Sequence, residues 1–362
     1  MRIVHLLTRP QRRGAEIFAI QLSEELKKLG HEVLVITLLT GSGAVTFSGR
    51  MVHLGRPDGN LLDWKGFWKL KKILDEFRPD LVQANASDTL RYGVVAKWLS
   101  KSDFRLVYRN ANMMSPFVKN GLSKAFYRSL LNQTDAAVAV AEATRQDLIR
   151  LYAYPKITAV IPIGIDQEAI DRLVQEKWKL DSSSPYVLFM GGLVPEKNPE
   201  LALDWFGHSQ GKQRDLNLIF MGGGMLEKKL RTKILENGLD EKVSLIPNQP
   251  NPFPVLAKAK ALLLPSKIEG LPAVILEAMY CRVPVVAYGV GGIPEVLESG
   301  KTGWCIDPED REAFVQAIQE VLEMDEGRKK KILDSAFDLV TADYNLATVA
   351  KKFEQFYLQI LE

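Results

Sequence analysis

Ala261-Leu262-Leu263-Leu264-Pro265-Ser266-Lys267-Ile268-Glu269-Gly270-Leu271-Pro272-Ala273-Val274-Ile275-Leu276-Glu277-Ala278-Met279 passes from a short apolar run through a turn into a second apolar stretch. The first run reads as a strand ending at Leu264 and the second as a helix. Pro272 stands where that helix would begin, at the position where a missing N–H costs nothing. Working outward, the same alternation of apolar runs and longer amphipathic stretches fills both halves of the 362 residues, which is how parallel strands and crossover helices read. In the first half the predicted strands cover 3–7, 33–37, 81–84, 106–108, 136–140 and 158–161; in the second, 186–190, 216–221, 243–246, 261–264, 283–287 and 303–306. The length exceeds one ordinary core. Two doubly wound α/β domains are therefore expected, 1–176 and 177–343. The polar, turn-rich stretch Asp181-Ser182-Ser183-Ser184-Pro185 lies at the start of the second. Val349, Phe353, Phe356, Tyr357 and Ile360 recur at helical spacing, so 344–362 forms a closing helix that completes the first domain.

The stretch that decides the fold also holds the chemistry. Free backbone N–H groups of a helix's first turn cradle phosphates, and a glycine lets an anion approach the main chain. Gly270, Leu271, Pro272 and Ala273 would form that cradle. Glu269 stands before the helix, beside whatever is attached beyond the phosphates. Glu277 lies inside the helix, where Ala273, Val274, Ile275, Leu276, Ala278 and Met279 make every side apolar. A carboxylate there is costly unless it has partners. A diphosphate flanked by two polyols, a sugar and a ribose, fits both carboxylates.

With these residues in place, the chain resembles the retaining glycosyltransferases of glycosyltransferase family 4, which have the GT-B fold of two Rossmann-like domains facing a central cleft. The segment from Glu269 to Glu277 is similar to that family's paired-glutamate motif. The likeness extends to Gly14-Ala15-Glu16, to Ile161-Pro162-Ile163-Gly164-Ile165-Asp166, to the segment from Gly191 to Asn198, and to Gly289-Val290-Gly291-Gly292-Ile293-Pro294-Glu295. The resemblance implies that Glu269 binds donor-sugar hydroxyls, that Glu277 holds the ribose and that Lys197 contacts the diphosphate. It also implies that Gly14 closes on the phosphates from the first domain. Transfer would retain the anomeric configuration, without a metal or other cofactor. Two positions depart from the family. Gly191 is followed by Gly192 where an arginine is usual, with Arg12, Arg13 or Lys267 as replacements. Asn110 stands where a histidine is usual, and an amide takes no proton at neutral pH. A nucleotide-sugar-binding pseudoenzyme and a nucleotide-sugar epimerase of the same fold are the alternatives.

Composition narrows the partners. The net charge of +3 hides an asymmetry, because residues 1–180 carry 27 Lys and Arg against 18 Asp and Glu, and the remainder is acidic. A basic first domain suits an anionic membrane or a phosphate-bearing glycan or lipid-linked acceptor, as in cell-envelope polysaccharide synthesis; nucleic acid is not expected. Two segments read as amphipathic helices of core or of interface: Trp64, Phe67 and Trp68 among Lys65, Lys69, Lys71 and Lys72; and Leu122, Phe126 and Leu130 with Lys124 and Arg128, preceded by Phe117, Val118 and Lys119. No apolar run is long enough to span a bilayer and the N-terminus enters a strand directly, so a cytoplasmic location, extending to the inner face of the cell membrane, is expected. Cys281 and Cys305 have no metal-ligand spacing. A dehydrogenase is disfavoured because no G-x-G-x-x-G follows the first strand. A P-loop kinase is disfavoured because Gly300-Lys301-Thr302 lacks the earlier glycine, Glu295 occupying its place.

Overall fold

The computed structural model describes residues 1–41, 45–57, 62–118, 120–178, 184–207 and 215–362. They form two compact units, Met1–Ile165 with Asn345–Glu362, and Asp166–Tyr344. Among the described residues the first unit is a seven-stranded parallel sheet of β1 (Arg2–Leu7), β2 (Glu32–Leu39), β3 (Arg50–Arg56), β4 (Leu81–Ala84), β5 (Arg105–Asn110), β6 (Ala136–Ala139) and β7 (Ile157–Val160). Its order is β3-β2-β1-β4-β5-β6-β7. Around it lie α1 (Gly14–Lys28), α2 (Trp64–Phe77), α3 (Ser87–Leu99), α4 (Gly121–Leu131), α5 (Glu142–Tyr152) and the closing helix α13 (Leu346–Leu361). The central strands are buried throughout, the condition that makes their sequences continuous apolar runs. β3, which the sequence reading omits, lies at the sheet's edge and buries only Leu54, so Arg50, His53 and Arg56 interrupt the pattern. The closing helix joins this unit as expected: Leu346 N donates to Ile165 O at 3.0 Å, and Phe353 meets Phe18 of α1.

The second unit holds β8 (Tyr186–Met190), β9 (Asn217–Met221), β10 (Val243–Ile246), β11 (Ala261–Leu264), β12 (Val285–Tyr288) and β13 (Trp304–Ile306), in the order β10-β9-β8-β11-β12-β13. Its described helices are α6 (Gln167–Val174), α7 (Pro199–Gly207), α8 (Glu227–Glu236), α9 (Phe253–Leu256), α10 (Ala273–Tyr280), α11 (Arg311–Glu323) and α12 (Glu326–Asp343). The unit begins at Asp166 rather than at 177, because α6 is bonded into it. Asn251 Nδ2 donates to Leu173 O at 2.8 Å, and the Tyr280 hydroxyl donates to Asp171 at 3.0 Å. Residues 181–183 of the expected linker lie outside the described residues.

Both sheets have the doubly wound order, with a switch point between β1 and β4 in the first and between β8 and β11 in the second. Loops leaving the carboxyl ends of such neighbouring strands diverge, and the crevice between them is where α/β proteins bind ligands. No helix among the described residues is long and apolar enough to cross a membrane.

Candidate functional site

The loops after β8 and β11 flank the second switch point and are tied to each other. From Met190 the chain runs through Gly191 and Gly192 into a single 3-10 turn, Pro195–Lys197. Asn198 then takes a left-handed conformation, φ 51°, from which α7 departs at Pro199. Lys267 N, in the other loop, donates to Glu196 O at 2.7 Å. Lys197 Nζ donates to Glu269 Oε1, and Glu269 is only 4% exposed, so its carboxylate is neutralised by one partly exposed lysine. The Gly289–Glu295 motif clamps the same loop from behind. Gly292 N donates to Gly270 O at 2.6 Å. Gly291 has φ +58°, and a side chain there would place Cβ 2.0 Å from Glu269 O, so only glycine fits.

Helix α10 begins at Ala273, one residue later than the sequence reading puts it, and Pro272 acts as its N-cap, its carbonyl accepting from Ile275 N at 3.2 Å. No side chain caps this first turn. Leu271 and Gly270 are buried beneath it while Ala273 and Val274 are half-buried at its rim. One turn in, the half-buried Glu277 is flanked by buried Ile275, Leu276, Ala278 and Met279. Among the described residues it accepts no side-chain hydrogen bond and joins no ion pair. Burial pushes its carboxyl up to about 7. Lys197, Glu269, Gly270 and the start of α10 are thus one assembly, and Gly192 belongs to its first loop. Of the residues weighed as substitutes for the missing arginine, Lys267 and Arg12 and Arg13 have exposed side chains.

In the first unit Gly14 opens α1, exposed, after Arg13 as an N-cap that makes no side-chain capping bond. Asn110 ends β5 fully buried. Its Nδ2 donates to Thr144 O at 3.0 Å and its Oδ1 has no partner. Sequence reasoning missed Asp147, whose buried carboxylate accepts from Met114 N at 2.6 Å and Ser115 N at 3.0 Å and so holds the segment after β5. It gave no role to the buried Glu16, quoted within Gly14-Ala15-Glu16, and it missed the buried Arg109. The amphipathic segments resolve by residue: Phe67, Leu70 and Leu130 are core, whereas Trp64, Trp68, Phe117, Leu122 and Phe126 are exposed, Leu122 at 85%. Lys119 lies outside the described residues. Cys281 and Cys305 are free, and burial pushes the Cys281 thiol up to about 12. Gly300-Lys301-Thr302 is a turn, with Lys301 paired to Glu298 at 2.8 Å and the Thr302 hydroxyl donating to Val296 O at 2.8 Å.

Residues 12–169 match the model for Glycosyltransferase Family 4, and residues 171–333 match the model for Glycosyl transferases group 1. The chain belongs to the family 4 type of glycosyltransferase. Its two doubly wound sheets are those of the GT-B fold: HepE of Anabaena, solved with UDP and glucose, superposes with a TM-score of 0.82 at 20% identity over 98% of this chain and 99% of that one. Sucrose-phosphate synthase of Thermosynechococcus elongatus superposes with a TM-score of 0.82 at 20% identity over 99% of each. Among curated relatives, the alpha-D-kanosaminyltransferase of Streptomyces kanamyceticus is 27% identical over 67% of this chain. A Campylobacter jejuni N-acetylgalactosaminyltransferase acting on a diphospho-undecaprenol glycan is 28% identical over 61%. The chain spans 65% and 61% of those two relatives' lengths.

Proposed function

We propose that this chain is a retaining, metal-independent glycosyltransferase that takes a hexosyl group from a nucleoside diphosphate sugar bound by its second unit and gives it to a glycan or lipid-linked acceptor bound by its first. The observation that carries the reading is the assembly of Lys197, Glu269 and the uncapped start of α10, with Glu277 unpaired one turn further in. Its donors face developing negative charge and its carboxylates face hydroxyls. As the bond from the anomeric carbon to the diphosphate breaks, Lys197 and the first-turn N–H groups stabilise the departing charge. Glu269 holds hydroxyls of the donor sugar and Glu277 those of the ribose. The acceptor oxygen bonds to the anomeric carbon on the face the diphosphate leaves, and its proton passes to the departing phosphate oxygen, so configuration is kept. This route asks no base of Asn110, whose amide instead fixes the end of β5, and it asks no metal.

The first unit supports a membrane-borne acceptor. Leu122 and Phe126 stand exposed on α4 beside exposed Lys124 and Arg128, and Trp64 and Trp68 stand exposed on α2 among Lys65, Lys69 and Lys72. Such surfaces rest on anionic bilayers, each basic residue near the surface adding about 1 kcal/mol. The names of several relatives include undecaprenol-linked or phosphatidylinositol-linked acceptors. The enzyme works in the cytoplasm at the inner face of the membrane. A thermal-shift screen of uridine, guanosine and adenosine diphospho-sugars, followed by product analysis, tests the whole reading. Transferred sugar is expected; an interconverted donor would mark an epimerase, binding without turnover a pseudoenzyme, and no binding at all would refute the donor site. In the same assay Lys197→Met should lower the single-turnover rate at least tenfold.

A further inference from the structure

The donor assembly contains one strained backbone joint. Pro195–Lys197 is a single 3-10 turn, closed by Lys197 N donating to Val194 O at 3.0 Å and by Asn198 N donating to Pro195 O at 3.2 Å. Asn198 follows with φ 51° and ψ 48°, and α7 departs at the next residue, Pro199. Left-handed backbone is costly for a residue with a side chain, asparagine being among the few that tolerate it, and a following proline pushes the residue before it towards extended backbone. Among the described non-glycine residues, Arg78, Ala153, Arg282 and Glu309 also have positive φ. The first three close the ends of α2, α5 and α10, the ordinary use of that conformation. Asn198 instead stands between Lys197 and the start of a helix.

Both sides of this joint are fixed. After it, α7 is anchored by buried Leu201, Ala202, Leu203, Trp205 and Phe206. Before it, Glu196 O accepts from Lys267 N at 2.7 Å, which ties the turn to the loop after β11. Lys197 lies between the two anchors, and its Nζ reaches the buried carboxylate of Glu269. The angles at Asn198 therefore decide how the turn meets α7 and where Lys197 points. The Asn198 amide makes no hydrogen bond among the described residues, so its contribution is conformational. Left-handed strain persists only where the surroundings enforce it, and it gathers where geometry serves function. We propose that Asn198 is a positioning residue, whose left-handed backbone aims Lys197 at Glu269 and so at the diphosphate of the donor. The second half of that statement rests on the reading of the second unit as the donor-binding half.

The test replaces Asn198 in the full chain by glycine, alanine and valine, which resist left-handed backbone increasingly. Each variant is read by crystallography and by single-turnover release of nucleoside diphosphate from UDP-glucose, GDP-mannose and ADP-glucose. Asn198→Gly keeps the contact of Lys197 with Glu269 and recovers at least half of the parent's rate. Asn198→Val loses the contact and slows release at least tenfold; Asn198→Ala falls between, so the order can be read even where the valine variant does not fold. Combined with Lys197→Met, Asn198→Ala or Asn198→Val costs less than twofold further, which a merely structural role would not produce. The contact intact in both Asn198→Ala and Asn198→Val overturns the proposal. So does a loss that is just as large in the Lys197→Met background, or a tenfold loss in Asn198→Gly. A parent that binds none of the three donors refutes the donor reading instead, and the crystal structures then still decide whether Asn198 aims Lys197.

Discussion

Replacing Glu277 by glutamine is expected to stabilise the protein and disable it together. An ordinary glutamate titrates near 4.5, and Glu277 does so at about 7 because burial disfavours its ionised form. At about 1.36 kcal/mol per pH unit the difference is about 3 kcal/mol, and the hydration this half-buried group retains reduces it to about 2 kcal/mol. The folded state holds this proton more tightly than the unfolded state. The penalty is therefore absent below pH 4.5, grows as pH rises, and is complete above pH 7. Glutamine is neutral throughout. Glu277→Gln should thus melt higher at pH 8.5, by roughly 4–8 °C at about 2–4 °C per kcal/mol for a unit of this size, with less than half that gain at pH 5.5. Meanwhile the loss of charged hydrogen bonds to the ribose, about 1.5–3 kcal/mol, weakens nucleotide-sugar binding ten- to a hundredfold. Calorimetric melts of parent and variant at the two pH values, with donor titrations at pH 8.5, check both halves. A melting difference that does not change with pH would refute the desolvation argument. Unaltered donor affinity would remove Glu277 from the ribose.

Gly291→Ala should lower the melting temperature and cut donor affinity at least tenfold, because its Cβ would push Glu269 away from Lys197; a melt within a degree of the parent, with full affinity, would show the clamp to be dispensable. His5 is buried and held down to about 4, so the folded state resists its protonation and stability falls as pH drops from 6.5 towards 4. His5→Gln should flatten that acid limb in a circular-dichroism titration, and an unchanged limb would assign acid sensitivity elsewhere. Parent protein should pellet with phosphatidylglycerol vesicles at low salt and release at high salt, and Leu122→Glu with Phe126→Glu should abolish pelleting; equal pelleting by the double variant would exclude α4 as the contact.

What was legible in the sequence follows from what local pattern encodes. Inner strands such as β2 and β11 are buried on both faces, so their apolar runs declare them, while β3 at the edge buries only Leu54 and falls below the same threshold. The local shape of the loop between β11 and α10 was legible for a different reason: Glu269, Gly270, Pro272 and Glu277 are close in sequence, so their spacing carries their geometry. The ion pair from Lys197 crosses 72 residues and only the sheet order brings it in. Glu16 was legible only as part of Gly14-Ala15-Glu16; its burial, like that of Arg109, comes from long-range packing that no local motif encodes. The boundary at 165 was misplaced because the polar stretch after 180 resembles a linker, whereas the actual division falls inside Gly164-Ile165-Asp166. There a Cβ on Gly164 would come 2.7 Å from Leu346 Cα, so the return of the closing helix, not local composition, sets where the first unit ends. The amphipathic segment of α4 shows the converse limit. Periodicity identifies an apolar stripe but not what covers it, and Leu122 and Phe126 lie on a stripe that the rest of their unit leaves to solvent, which is why the helix is read as a surface for a bilayer rather than as part of the core.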